Sequence, residues 1–180
     1  MGVAEYGWMA SLNCVDTEEI IFEDYLHCCN RLSDMFRNDY MCDLVIALTH
    51  MRVPNDERLT KEALGVDLVL GGHDHIYKAE LLNKTLMLKS GTDFKNYSEI
   101  DIVYNPDAEA KLNEADYEPL DLDDKNVVTD KPYKFCMKDK FEVTLYKRDI
   151  TRDIEPMPSL VEVVDFYGEK MKEAMKRVKY

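Results

Sequence analysis

Asp43-Leu-Val-Ile-Ala-Leu-Thr-His50 and Val66-Asp-Leu-Val-Leu-Gly-Gly-His73-Asp74-His75 are the two runs whose reading decides the fold. Each is an apolar stretch of strand length that stops on histidine. Continuous Val, Ile and Leu without alternation is the pattern of strands covered on both faces, as in a parallel sheet flanked by helices. Between the runs, Asn55 or Asp56 can cap a helix that turns Leu59, Ala63 and Leu64 inward, and Gly65 can end it. The expected unit is β-α-β. Both strands deliver histidines at their carboxyl ends, the edge where ligands of open α/β sheets bind.

Three histidines at one edge point to a metal. Neutral imidazole is the commonest metal-binding side chain, and His73-Asp74-His75 places two rings on one loop. Gly71 and Gly72 allow a sharp exit from the strand and the close approach of a ligand. The competing reading is three solvated histidines on turns. Gly-Gly-His-x-His paired with a second strand-end histidine favours the metal.

Thr49-His50 after an apolar strand, followed by Gly72-His73-Asp74-His75, resembles the last two motifs of the calcineurin-like metallophosphoesterases. The longer wording, Val45-Ile-Ala-Leu-Thr-His-Met-Arg52, Asp67-Leu-Val-Leu-Gly-Gly-His-Asp-His75 and Lys89-Ser-Gly-Thr-Asp-Phe94, is similar to the 5′-nucleotidase branch. The resemblance spans roughly residues 2–102 and continues more weakly to the C-terminus. It implies an α/β fold, a portion of a four-layer α-β-β-α sandwich with a mixed sheet and flanking helices. It also implies a metal-dependent hydrolase of phosphate esters, nucleotides among them, built around two divalent ions (Zn, Mn, Mg or Fe). On this reading His50 and His73 bind one metal and His75 the other. No residue receives a catalytic role, and the substrate-binding residues stay unassigned.

The earlier motifs of that family, Asp-x-His, Gly-Asp-x-x-Asp and Gly-Asn-His-Asp or -Glu, do not occur in this sequence. In the family they carry the bridging aspartate, the other ligands and a histidine that assists the leaving group. Met1-Gly2-Val3 corresponds to a strand midway through the catalytic domain of such relatives. The expectation is half of a site, inactive alone and completed by a missing N-terminal half or another protein chain. The alternative is a non-catalytic fragment or degenerate paralogue serving as an interaction module in a larger assembly.

Composition narrows the partners. At 180 residues and 46% hydrophobic, the chain can hold one domain with a core. A net charge of −13 argues against nucleic acid or an anionic membrane surface, while bound metals would supply local positive charge to a phosphate ester. There is no twenty-residue apolar stretch and no apolar N-terminal segment behind basic residues, so neither a membrane span nor a signal peptide is visible. The expected compartment is the cytoplasm; the alternative is a signal peptide lost upstream of a truncated N-terminus. Cys14, Cys28, Cys29, Cys42 and Cys136 are odd in number and form no C-x-x-C pair, which fits reduced thiols.

Residues 1–104 are expected to form the C-terminal half of the catalytic domain. Trp8 and Leu12 anchor its start. Asp16 or Thr17 can cap a helix bearing Tyr25, Cys29, Leu32 and Phe36 on one stripe, with His27 off it and solvated. Ile76 to Leu82 and Thr85 to Lys89 read as a hairpin turning at Asn83-Lys84, and Ser98 to Tyr104 as a half-buried strand. The loop from Gly91 to Asn96 either borders the metal site or merely joins two strands. Residues 105–134 are an acidic excursion, and Asp121-Leu-Asp-Asp lacks the glycine and distal glutamate of a calcium loop. Residues 135–180 add a strand from Phe141 to Tyr146 and a helix opened by Pro156 and Pro158. That helix carries Leu160, Val164, Tyr167, Met171, Met175 and Val178 on one side. It either links to a further domain, as in the family, or docks on the sheet or a partner.

Overall fold

The computed structural model of the chain describes residues 1–11, 16–105 and 120–177. Among these the fold is α/β. Its strands are β1 (Gly2–Ala4), β2 (Ile46–His50), β3 (Leu68–Gly71), β4 (Tyr77–Leu82), β5 (Thr85–Ser90), β6 (Asn96–Tyr104), β7 (Asp121–Asp123), β8 (Tyr133–Met137) and β9 (Phe141–Asp149). The helices are α1 (Tyr25–Asn38), α2 (Val53–Glu62) and α3 (Pro158–Arg177). The chain divides into two compact units, residues 1–149 and 150–180.

In the first unit the strand order β1-β2-β3-β5-β4-β7 makes a mixed sheet, parallel through β5 and antiparallel beyond it. The pleat of its central strands sorts side chains to two cores. Ala47, Val69 and Met87 face α1 and α2, where they meet Tyr25, Cys29, Leu59 and Ala63. Leu68, Leu86 and Leu88 face the other way, onto Phe135, Phe141, Val143 and Leu145 of a second, antiparallel sheet in the order β6-β9-β8. Helices on one face and a sheet on the other explain why these runs are apolar without alternation. The second sheet has three strands against six, and its shared core reaches Leu44 and Ile46 but not Leu48. Leu48 is left 57% exposed.

Several sequence expectations shift by a few residues, for local reasons. Helix α2 starts at Val53, with Pro54 in its first turn, and not after Asn55 or Asp56. Its cap comes from elsewhere in the chain: the Asp74 carboxylate accepts the Val53 N–H at 2.7 Å. Leu59 and Ala63 are buried as expected, but Leu64 falls past the helix end and is 89% exposed. Gly65 is no cap either. A Cβ there would stand 2.5 Å from Ser33 Cβ, so its role is to let α1 pass.

Asp16 caps only a short 3₁₀ turn at Thr17–Glu19. Helix α1 begins later, behind Asp24, whose carboxylate accepts from the Leu26 and His27 amides. Tyr25 and Cys29 are buried, Leu32 and Phe36 half-buried, and His27 exposed beside Glu23 at 3.6 Å.

The hairpin between β4 and β5 turns at Asn83 and Lys84, both with positive φ (49° and 61°), as a two-residue primed turn requires. The described part of the acidic stretch, residues 120–134, is more ordered than its composition suggests. Within it β7 pairs with β4, and Leu120 and Leu122 enter the core between the sheets. The Asp123 carboxylate accepts the Lys125 and Asn126 amides, an Asx turn. Leu12, Cys14, Val178 and the acidic residues Asp107, Glu109, Glu114, Asp116 and Glu118 lie outside the described residues.

The second unit consists chiefly of α3. Pro158 is its first residue, where a fixed φ suits the helix and the missing N–H is no loss. Leu160, Val164, Tyr167, Met171 and Met175 recur along it at helical spacing, and Phe166 meets Tyr167 edge to face. No helix among the described residues is long and apolar enough to cross a membrane.

Candidate metal-binding edge

Strands β2 and β3 are parallel neighbours, with Thr49 opposite Gly71, so their chains leave the sheet side by side. The Gly72 amide donates to Thr49 O at 2.8 Å, extending the ladder one step past β3. His50 is the last residue of β2, and His73 follows β3 by two. Their ring centroids are 5.4 Å apart. The left-handed residue of the turn is His73 itself (φ 68°), and neither Gly71 nor Gly72 has positive φ.

The two glycines provide room. A Cβ on Gly71 would meet Asp56 Oδ2 at 2.7 Å and Lys89 Nζ at 3.1 Å; one on Gly72 would meet His50 Nδ1 at 3.1 Å. Gly71 thus admits a buried ion pair, and Gly72 lets the His50 ring lie against the loop.

Trp8 completes this cluster from a 3₁₀ turn at Tyr6–Ser11. Its ring stands edge-on to His50 at 4.5 Å and His73 at 5.2 Å, and its Nε1 donates to His50 O at 2.8 Å. His75 is exposed, and the ring contacts joining Trp8, His50 and His73 do not include it.

Beneath the rings lies a polar layer with its groups paired. Lys89 is fully buried, 2.6 Å from Asp56 and 3.2 Å from Asp74, and its ammonium donates to Met51 O and Gly72 O. Asp56 also accepts the Thr49 hydroxyl at 2.5 Å. Burial pushes the Asp56 carboxyl above its usual range, opposed by Lys89 and Thr49.

Glu5, only 5% exposed, accepts from the Arg52 amide at 3.0 Å and Asn55 Nδ2 at 2.5 Å and pairs with the Arg52 guanidinium. Burial alone would raise the Glu5 carboxyl. The Arg52 amide, Asn55 and the Arg52 charge outweigh it and hold the group below its usual value.

This layer ties β1, β2, α2, β5 and the histidine loop together, and sequence reading missed it. One signal was available: Lys89 closes an otherwise apolar strand, and a charge inside a buried run calls for a partner. Beside Gly71 and Gly72 a cavity of about 480 Å³ opens between the sheets, floored by Leu70, Leu88 and Ile100 and rimmed by the loop from Gly91 to Asn96.

As a donor set for a divalent ion, two imidazoles at adjacent strand ends suit a nitrogen-loving metal. The nearby carboxylates Glu5, Asp56 and Asp74 are engaged by N–H, hydroxyl and ammonium groups. Among the described residues no three His, Cys, Asp or Glu converge to hold a metal ion. Among the described residues the imidazoles here stand beside carboxylates that protein donors already engage. No protein-family model matches the chain, and neither does any curated protein.

Proposed function

We propose that this chain is the histidine-bearing portion of a metal-dependent phosphoester hydrolase of the 5′-nucleotidase type, with His50, His73 and His75 as ligands of a two-metal site. The observation that carries the reading is the His50–His73 pair, 5.4 Å apart at the carboxyl ends of adjacent parallel strands and fixed from beneath by the Lys89 network. Two divalent ions in such a site supply electrophilic stabilisation of phosphoryl oxygens and an acidified water. This chain's own groups hold the imidazoles: Gly72 makes room for one ring, Trp8 packs against both, and Lys89 pins the loop through Gly72 O.

A four-layer sandwich is part of the same proposal. The exposure of Leu48 supports it, since a larger second sheet would cover that face of β2. That exposure also favours the second reading, an interaction module whose partner covers this face.

Titration calorimetry separates the two. The chain should bind Zn²⁺ or Mn²⁺ weakly, and His73→Ala should lose that binding; equal binding by both proteins removes the metal assignment. The chain alone should not hydrolyse p-nitrophenyl phosphate. Metal-dependent turnover that disappears in His75→Ala would mean that the chain completes its own site.

A further inference from the structure

At the opposite end of the sheet, before β3 begins, a cavity of about 460 Å³ opens between α1, the turn at Leu64 to Asp67 and the β8–β9 turn. Its charge runs against the protein's. The chain carries −13, yet Arg37, Lys138 and Lys140 all line this wall. Arg37 is neutralised by Asp67 and also donates to Cys42 O at 2.8 Å. Asp34 accepts from Asn38 Nδ2 at 2.7 Å. Asp139, between the two lysines in sequence, is taken by Lys84 at 2.6 Å. Lys138 has no carboxylate within ion-pair distance among the described residues, and Lys140 lies over the Phe141 ring at 5.2 Å. Burial, the largest influence on Lys138, lowers its pKa.

A second observation points the same way. Ser33 is 1% exposed and lines the cavity, and its Oγ has no hydrogen-bond partner. A buried hydroxyl left unpaired is unfavourable by itself. Asn30 Oδ1 accepts the Leu64 N–H at 2.9 Å, which leaves the Asn30 Nδ2 as a donor. Two ammonium groups, a hydroxyl and an amide around one cavity are donors in search of a multi-acceptor anion.

We propose that this cavity binds a small phosphate-bearing anion, with Lys138 and Lys140 supplying charge and Ser33 Oγ and Asn30 Nδ2 supplying hydrogen bonds. A tetrahedral phosphate offers acceptors enough for all four, and the volume leaves room for an organic remainder. Long-range attraction is not available to an acidic protein, so binding must come from these local groups. The site is independent of the metal reading, because it lies at the strands' amino ends and the histidines at their carboxyl ends.

The test is an amide chemical-shift titration of the full chain at fixed ionic strength, with inorganic phosphate and, separately, glycerol phosphate. Saturable shifts are expected at Ser33, Gly65, Lys138 and Lys140. Lys138→Asn, which keeps a residue tolerant of the left-handed backbone there (φ 52°), should weaken binding about tenfold. Lys140→Gln serves as the second variant if Lys138→Asn perturbs the fold. Ser33→Ala should weaken binding less, and His73→Ala not at all. Tighter binding of the ester identifies an organic phosphate as the ligand, and equal affinity identifies the free anion; both support the site. Shifts that grow without saturating, lysine variants that bind like wild type, or loss of binding in His73→Ala would overturn it.

Discussion

Lys89 Nζ lies 2.6 Å from Asp56 Oδ2, and neither side chain is exposed to solvent. The same ammonium donates to Met51 O and Gly72 O, so one buried cation joins the end of β5, the start of α2 and the histidine loop. A charge in this position is tolerated only while its partners remain.

Lys89→Met leaves the Asp56 carboxylate buried without its counter-ion, at a cost of about 3–5 kcal/mol. Burial already pushes the Asp56 pKa up, and the Lys89 ammonium is the strongest influence opposing it. Without Lys89 the carboxyl should take a proton on folding. A folded-state pKa raised above the unfolded one gives stability at low pH that is lost as pH rises. The variant's deficit should therefore shrink toward acid. Adding Asp56→Leu should recover part of the loss. Urea unfolding at neutral and acid pH measures both effects, and a deficit independent of pH in both variants contradicts the pairing.

Glu5 works in the other direction. Its folded pKa lies below the usual value, so its contribution is present above about pH 4.3, the ordinary glutamate pKa, and is lost as pH falls through the lower folded value. Glu5→Gln should be less stable than wild type at neutral pH, with the gap closing in acid. Thermal unfolding across that range checks the slope; parallel curves for the two proteins would show that Glu5 does not carry it.

The sequence made the β-α-β unit readable because strands covered on both faces have a distinctive composition, and Asn83-Lys84 announced its turn. The histidines stood out for the same reason: they end apolar runs. What it concealed was long-range. Asp74 caps a helix twenty-one residues earlier, Glu5 grips Arg52 and Asn55, and Asp56 turns inward to Lys89. Each pairing depends on which strands become neighbours, which no local pattern encodes. Helix α2 began early for that reason, its cap being supplied by the loop it supports.

Phe94 holds φ at 55° with its ring 89% exposed, beside Asp93 at 54°. A bulky residue in the left-handed region is unfavourable by about 1 kcal/mol or more, and this ring buries little in return. Phe94→Gly should therefore stabilise the fold by about 1 kcal/mol, read as a higher urea midpoint with an unchanged slope. A destabilised variant would mean that the ring makes a contact in solution, placing it on the cavity beside the histidine loop as a working surface.

Trp8 is the sole tryptophan, and its ring touches both His50 and His73. Its fluorescence is thus a local reporter for the candidate metal edge. An ion bound by these imidazoles would draw lone pairs and ring orientation into coordination, and the indole packed edge-on to them would feel the change. Zn²⁺ titration should alter the Trp8 emission saturably. His50→Ala and His73→Ala should abolish the response, whereas His75→Ala should retain it, since the ring cluster leaves His75 out. Circular dichroism of each variant guards against a loss that reflects unfolding. If His73→Ala responds like wild type, any bound zinc sits elsewhere and the strand-end pair is a packing contact against Trp8. If only His75→Ala loses the response, the loop rearranges to bring His75 to the indole, and the ligand assignment among the three histidines must be redrawn.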